Sequence, residues 1–174
     1  MNGHLKNNER IMKKKNKFNT NAIHIGQKPE ELYGSVSHPI YQTSTFKQNK
    51  IGEYIYDYSR AGNPTRASLE ENICTLENGV DAIAFSSGLA AITSVMQLFS
   101  SGDHIIFTDN VYGGTFRLLD TIMSKFKLEH SWIDTSSINK IKSAIQPNTK
   151  LIFVETPTNP MMLLSDIYAI SEIA

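Results

Sequence analysis

Cysteine is all but missing from this 174-residue sequence: Cys74 stands alone. An intrachain disulfide framework and a cysteine-rich zinc site are thereby excluded, a reducing compartment fits, and Cys74 itself is expected in the core. Surplus charge is missing as well. Seventeen Lys plus Arg face seventeen Asp plus Glu, which gives no reason to expect a nucleic-acid partner, a membrane surface or an acidic ligand. No apolar run approaches a membrane span, and the N-terminus lacks the apolar stretch of a secretory signal, so a soluble, cytoplasmic protein is expected. His4, His24, His38, His104 and His130 are scattered without ligand spacing, and no metal is expected. Neither a Gly-x-Gly-x-x-Gly turn after a strand nor a Gly-Lys-Ser/Thr phosphate loop occurs, which argues against a nucleotide fold.

What is present falls into three stretches. Residues 1–17 carry Lys6, Arg10, Lys13, Lys14, Lys15 and Lys17 among asparagines, the composition of a solvated, disordered tail. Residues 18–63 are rich in Thr, Ser, Gln and Tyr and are interrupted by Pro29, Gly34, Pro39 and Gly52, so they read as an extended arm. From residue 64 to 174 the pattern becomes regular. Pro64 suits a first helical turn, and Leu69, Ile73 and Leu76 then share one face up to Asn78-Gly79.

Short apolar runs follow at Ala82–Phe85, His104–Phe107, Ser131–Ile133 and Leu151–Val154, each a strand candidate. Helical stripes lie between them, at Leu89, Ile92, Val95, Met96 and Phe99, then Phe116, Leu119, Ile122, Met123 and Phe126, then Ile138, Ile141 and Ile145. Alternating strand and helix predicts an α/β layer with a mainly parallel sheet and flanking helices. Ser165 and Asp166 open one more helix, with Ile167, Ile170 and Ile173 on one side. No closing signal follows before Ala174, and the expectation is a chain cut within an element.

In such a layer, ligands gather beyond the carboxyl ends of the strands. Phe85-Ser86-Ser87-Gly88-Leu89-Ala90-Ala91 runs from a strand candidate into the most apolar helix. A buried helix start there leaves N–H groups that a phosphate satisfies, and Gly88 permits close approach; equally, Ser86 or Ser87 acts only as a cap. Asp109-Asn110-Val111-Tyr112-Gly113-Gly114-Thr115 has paired glycines around Tyr112, an aromatic face for a flat heterocycle or simply a turn tyrosine. In Glu155-Thr156-Pro157-Thr158-Asn159-Pro160 two prolines stiffen a loop and direct the Asn159 amide, as in any rigid turn. Tyr56-Asp57-Tyr58-Ser59-Arg60-Ala61-Gly62-Asn63-Pro64-Thr65 offers a phenol and a guanidinium to a phosphate, or is a solvated loop. Together these suit a flat, phosphorylated cofactor.

The stretches HPIYQTSTF, YDYSRAGNPTR, SSGLAA, DNVYGGTFR and ETPTNP, in this order, resemble the pyridoxal-phosphate enzymes of cysteine and methionine metabolism, the cystathionine γ-synthase and γ-lyase group. The resemblance implies an aspartate-aminotransferase-like (fold type I) domain, here truncated and preceded by an N-terminal arm, with pyridoxal 5'-phosphate as cofactor. It implies that Ser87, Gly88 and Leu89 bind the cofactor phosphate, that Tyr58 and Arg60 reach the phosphate of a neighbouring subunit, that Tyr112 stacks on the ring with a possible acid/base role, and that Asn159 bonds the ring's phenolic oxygen. It further implies a cytoplasmic homotetramer with shared sites acting on amino acids: activated homoserine, cysteine or cystathionine. The lysine that holds the cofactor, the aspartate facing the ring nitrogen and the arginine that grips the substrate carboxylate lie, by the same resemblance, beyond Ala174. Lys125, Lys140 and Lys142 read as exposed and unsuited to replace that lysine. The expected activity is γ-replacement, joining cysteine to an activated homoserine. A cystathionine γ-lyase or related lyase is the alternative, a noncatalytic fragment or split half the next, and a nucleotide-dependent oxidoreductase a distant third.

Overall fold

The computed structural model describes residues 17–174. The basic stretch assigned to a tail lies outside these residues except for Lys17. Two compact units divide between Ala84 and Phe85.

The first unit is built on two helices, α1 (Phe18–His24) and α2 (Pro64–Leu76), which pack on each other. Asn72 of α2 donates from Nδ2 to the carbonyls of Asn21 (3.1 Å) and Ile25 (2.9 Å), so a side chain satisfies the C-terminal carbonyls of α1. Gly26 then turns with φ +74°, and a Cβ there would run into the Ser68 carbonyl. Pro64 opens α2 as predicted, and Asn63 caps it by accepting from Thr65 N at 2.9 Å. The intervening chain is irregular, apart from isolated antiparallel bridges at Thr45–Tyr58 and Lys50–Glu53. No described side chain of residues 17–84 is buried, and the predicted inner face of α2 leaves Leu69 and Ile73 exposed.

The second unit holds a three-stranded, wholly parallel sheet in the order β2-β1-β3, with β1 at His104–Thr108, β2 at Glu129–Ile133 and β3 at Thr149–Phe153. His104 faces Glu129 and Thr108 faces Ile133 across one edge; Ile105 faces Leu151 and Phe107 faces Phe153 across the other. All five residues of β1 are buried, as a central strand covered on both faces requires. The expected strand at Ala82–Phe85 does not form: the run is irregular, with Ile83 and Phe85 exposed. A strand is a pairing rather than a local conformation, and this run has no ladder partner among the described residues.

The helices are α3 (Gly88–Met96), α4 (Gly113–Arg117), α5 (Ile138–Ala144) and α6 (Ile167–Ser171), the last capped by Asp166 through Ala169 N. The core gathers Met96, Ile105, Phe107, Leu118, Leu119, Met123 and Leu128, with Leu89, Ile92, Phe99 and Trp132 packed against it. An aromatic row crosses the sheet, Phe153 to Phe107 (5.3 Å), Phe107 to Trp132 (5.1 Å) and Trp132 to Phe116 (5.2 Å between centroids).

Four further expectations need correction. The stripe from Phe116 to Phe126 does not face inward as one helix, because α4 opens into a π turn at Leu118–Ile122 and closes as a 3₁₀ turn at Met123–Phe126. Wider and then tighter turns shift the phase, so Leu118, Leu119 and Met123 are buried while Ile122 and Phe126 are exposed. Cys74 is only half-buried. Val95 of the mostly apolar α3 is exposed, as is Ile145, which ends α5 rather than lining it.

Candidate functional site

The start of α3 is the first place where chemistry can sit. Ser87 is extended and caps the helix, its Oγ accepting from Ala90 N at 3.1 Å. That bond uses an oxygen lone pair and leaves the hydroxyl proton free to donate. The N–H groups of Gly88 and Leu89 open the helix without an intrahelical acceptor. Ser86, Ser87 and Gly88 are exposed, contrary to the expected buried start, and a Cβ on Gly88 would meet nothing within 4 Å. An open approach to two N–H groups and a hydroxyl suits an anion arriving from solvent.

α4 packs beside α3, and Tyr112 occupies its N-cap position. Of the paired glycines, Gly114 has the close-packing role that the sequence suggested, whereas a Cβ on Gly113 would meet only the end of the Arg117 side chain. A Cβ on Gly114 would fall 3.0 Å from both Cδ1 and Cζ of the Tyr112 ring, and closer still to Cε1. The ring therefore lies against bare backbone, and its residue is 58% exposed, leaving aromatic surface free. Tyr112 N–H donates to Glu155 Oε2 at 2.8 Å, which joins the loop after β1 to the loop after β3.

The Glu155 loop is itself anchored. Its N–H donates to Thr108 Oγ1 (3.1 Å), Thr108 Oγ1 bonds Thr135 Oγ1 (2.9 Å), and Thr135 Oγ1 bonds Ser165 Oγ (2.7 Å). Thr108 and Thr135 are almost fully buried, so their hydroxyls satisfy each other where water is excluded. Farther along, buried Thr158 accepts from Leu163 N through Oγ1 (3.0 Å), while its own N–H donates to the Leu163 carbonyl (3.0 Å). This clamp closes the loop around Asn159, whose side chain is exposed.

Beside this edge, Asp134 follows β2. Its carboxylate accepts from Ser136 and from Lys140 Nζ at 3.0 Å, and those bonds hold its pKa down to about 2. Lys140 is therefore committed to an ion pair. Lys125 and Lys127 precede β2, and Lys150 stands near the start of β3, at the opposite end of the strands. All the lysines of this unit are exposed, as expected.

In the first unit, Tyr58 and Arg60 lie together. The Arg60 guanidinium sits 4.7 Å from the Tyr58 ring centroid, and Ser59 N–H bonds the Ser44 carbonyl at 2.9 Å. Arg66 donates to the carbonyls of Ser59, Arg60 and Ala61, fixing the turn from inside. Asn63 Nδ2 reaches the Tyr41 carbonyl and Ser59 Oγ, both at 3.0 Å, and Thr65 Oγ1 accepts from Tyr41 N at 2.9 Å.

Sequence reasoning gave no role to Thr108, Thr135 or Glu155. Two threonines and a glutamate at strand ends carry no distinctive spacing, although the loops flanking them were marked. Among the described residues no helix is long and apolar enough to cross a membrane, and no His, Cys, Asp and Glu group could hold a metal ion.

Residues 19–174 match the family model described as Cys/Met metabolism PLP-dependent enzyme. The chain is 49% identical over 164 residues to cystathionine γ-lyase of Bacillus subtilis (strain 168), covering 94% of this chain and 42% of that one. It is 52% identical over 156 residues to cystathionine β-lyase of Lactococcus lactis subsp. cremoris (strain MG1363), covering 89% and 41%. Relatives named cystathionine γ-synthase match at 42% to 46% identity. The crystal structure of cystathionine γ-lyase from Lactobacillus plantarum complexed with L-serine superposes with a TM-score of 0.84 at 50% identity, covering 91% of this chain and 42% of that one. The chain thus spans about two fifths of the length of these relatives.

Proposed function

Because the chain belongs to the Cys/Met metabolism PLP-dependent enzyme family, we propose that it forms the phosphate-binding and ring-stacking part of an enzyme that breaks or makes a carbon–sulfur bond in an amino acid. One observation carries this reading: the open, hydroxyl-flanked start of α3 stands on a helix packed beside α4, whose N-cap is the exposed Tyr112 ring.

The residues present suit pyridoxal phosphate in two respects. Gly88 and Leu89 N–H with the Ser87 hydroxyl form a donor set for its phosphate, and Tyr112 over Gly114 provides a face for its ring. Asn159, presented by the Thr158 clamp, is assigned to the ring's phenolic oxygen. Bound there, the cofactor would supply an electron sink for negative charge developing on the substrate's carbons. The chain's own residues bind and orient it, and the Tyr112 phenol is a candidate to move a proton. Tyr58 and Arg60 are assigned to a phosphate in a neighbouring copy, within a cytoplasmic homo-oligomer with shared sites. Within the second unit, Lys140 is paired with Asp134 and Lys125, Lys127 and Lys150 stand at the far strand ends, so none of these four is suited to hold the cofactor covalently.

Cystathionine is the substrate we favour, with cleavage ahead of joining, because lyase-named relatives reach 49% and 52% identity, with a further β-lyase at 45%, against 42% to 46% for the synthases. The γ-synthase reading drawn from the sequence is the second. Titrating the chain with pyridoxal phosphate tests the site: Ser87→Ala and Tyr112→Leu should each weaken binding about fivefold, the scale of one hydrogen bond or one aromatic contact. Equal binding by all three proteins would overturn the site. In a chain extended to its relatives' length, oxo-acid release from cystathionine supports cleavage. Cystathionine formation from cysteine and an activated homoserine, without such release, supports the second reading.

A further inference from the structure

We propose that Glu155 is the positioning residue for Tyr112. Its carboxylate fixes the backbone from which the ring is presented, so it sets cofactor retention without touching the cofactor. The proposal rests on Tyr112 stacking, the reading given above.

Two constraints meet at Tyr112. Gly114 gives the ring a floor, because only a residue without Cβ leaves room beneath it. A floor alone does not stop the ring from sliding, since its residue is 58% exposed. The second constraint is the bond from Tyr112 N–H to Glu155 Oε2 at 2.8 Å, within the range of a charge-assisted hydrogen bond. This bond acts on the backbone at the residue whose side chain is the plate.

A carboxylate on a loose loop would fix nothing, but Glu155 is not loose. Its own N–H donates to Thr108 Oγ1, at the carboxyl end of the fully buried central strand, and Thr108 is held by Thr135 from the far side of β1. Position is thus transmitted from the sheet through Thr108 to Glu155 and from Glu155 to Tyr112. Each link is a single hydrogen bond whose partners are half-buried or buried on the sheet side. Aspartate is one methylene shorter and falls short of the N–H, whereas glutamine keeps an oxygen at the same reach.

The experiment uses the 174-residue chain and its variants Glu155→Gln, Glu155→Asp, Glu155→Ala and Tyr112→Leu, with the double variant Glu155→Ala/Tyr112→Leu. Hydrogen exchange at the Tyr112 amide is followed by NMR, and pyridoxal phosphate binding by equilibrium dialysis. Glu155→Ala and Glu155→Asp should speed exchange of that amide about tenfold and weaken binding by a similar factor, and Glu155→Gln should restore most of both. On the Tyr112→Leu background, Glu155→Ala should add nothing to the loss of binding, because Glu155 acts only through the ring.

Weakening that adds in full on the Tyr112→Leu background, or a Tyr112 amide that exchanges equally fast in all variants, overturns the positioning role. If Tyr112→Leu binds as well as the unaltered chain, the stacking reading fails instead. If the unaltered chain binds no pyridoxal phosphate, that reading of the site also fails, and amide exchange alone decides whether Glu155 holds the loop.

Discussion

Replacing Gly114 with alanine separates the fold from the site more cleanly than any other single change. The added Cβ would lie 3.0 Å from Cδ1 and Cζ of Tyr112 and nearer to Cε1, closer than side-chain carbons pack. Something must move, and the group in the way is a side chain with open surface on its far side. Swinging that ring clear costs little, and alanine in place of glycine inside a helix returns about 0.5–1 kcal/mol. Overpacking in a closed core would cost about 1–3 kcal/mol, but this site is open on one side. The expected change in stability is therefore under about 1 kcal/mol. The displaced ring no longer offers its face, and pyridoxal phosphate binding should weaken by about 1 kcal/mol, or fivefold. Urea unfolding monitored by the single tryptophan, Trp132, measures the first quantity, and equilibrium dialysis the second. Gly113→Ala is the control: its Cβ would meet only the end of the Arg117 side chain at 3.4 Å, so both quantities should stay put. A destabilisation above about 2 kcal/mol with unchanged binding would refute the reasoning, since strain would then have gone into backbone rather than ring.

Other outcomes follow from the same geometry. His104 is buried between Thr149 Oγ1 (2.8 Å) and Ser131 Oγ (3.0 Å); burial lowers its pKa from 6.5, His130 adds to this, and Glu129 opposes it. The unfolded ring then takes up its proton at higher pH than the folded ring, so this contribution is intact above pH 6.5 and declines as pH falls below it. Urea midpoints from pH 8 to 5.5 should show a smaller decline in His104→Gln, and an identical decline would count against the assignment. Asn63→Ala removes a helix cap together with two bonds to the arm, so it should destabilise by about 1–2 kcal/mol and speed limited proteolysis between residues 41 and 59. Borohydride reduction of the chain with pyridoxal phosphate should label no lysine stoichiometrically; one uniquely labelled lysine on peptide mapping would show that a cofactor-holding lysine had been overlooked.

The sequence carried the parallel sheet well, because β1 and β3 contain dense apolar runs, and the run in β1 is buried throughout. Ala82–Phe85 has the same density and yet is no strand, since what makes a strand is the ladder beside it and composition does not encode the neighbour. The helix after Tyr112 was misphased for a different reason. A π turn changes the period in mid-run, and a 3.6-residue template cannot register that. Among the candidate site residues, Tyr112 and Gly88 stand out through their glycine-marked turns. Thr108, Thr135 and Glu155 were not, because a hydroxyl becomes informative only when the fold brings another hydroxyl to it from 27 residues away.

β1 is the first of the three strands to be synthesised and the one that ends in the middle. On the ribosome it must wait, with one flank unsatisfied, until β3 has emerged some forty residues later. During that interval α3 and the turns after α4 can cover its face, but β2 is the only strand available to pair with it, and the order of translation itself leaves a sticky edge exposed. A slow codon run before residue 149 would lengthen that exposure, whereas a chaperone that binds short apolar segments would find its target at Ile105–Phe107.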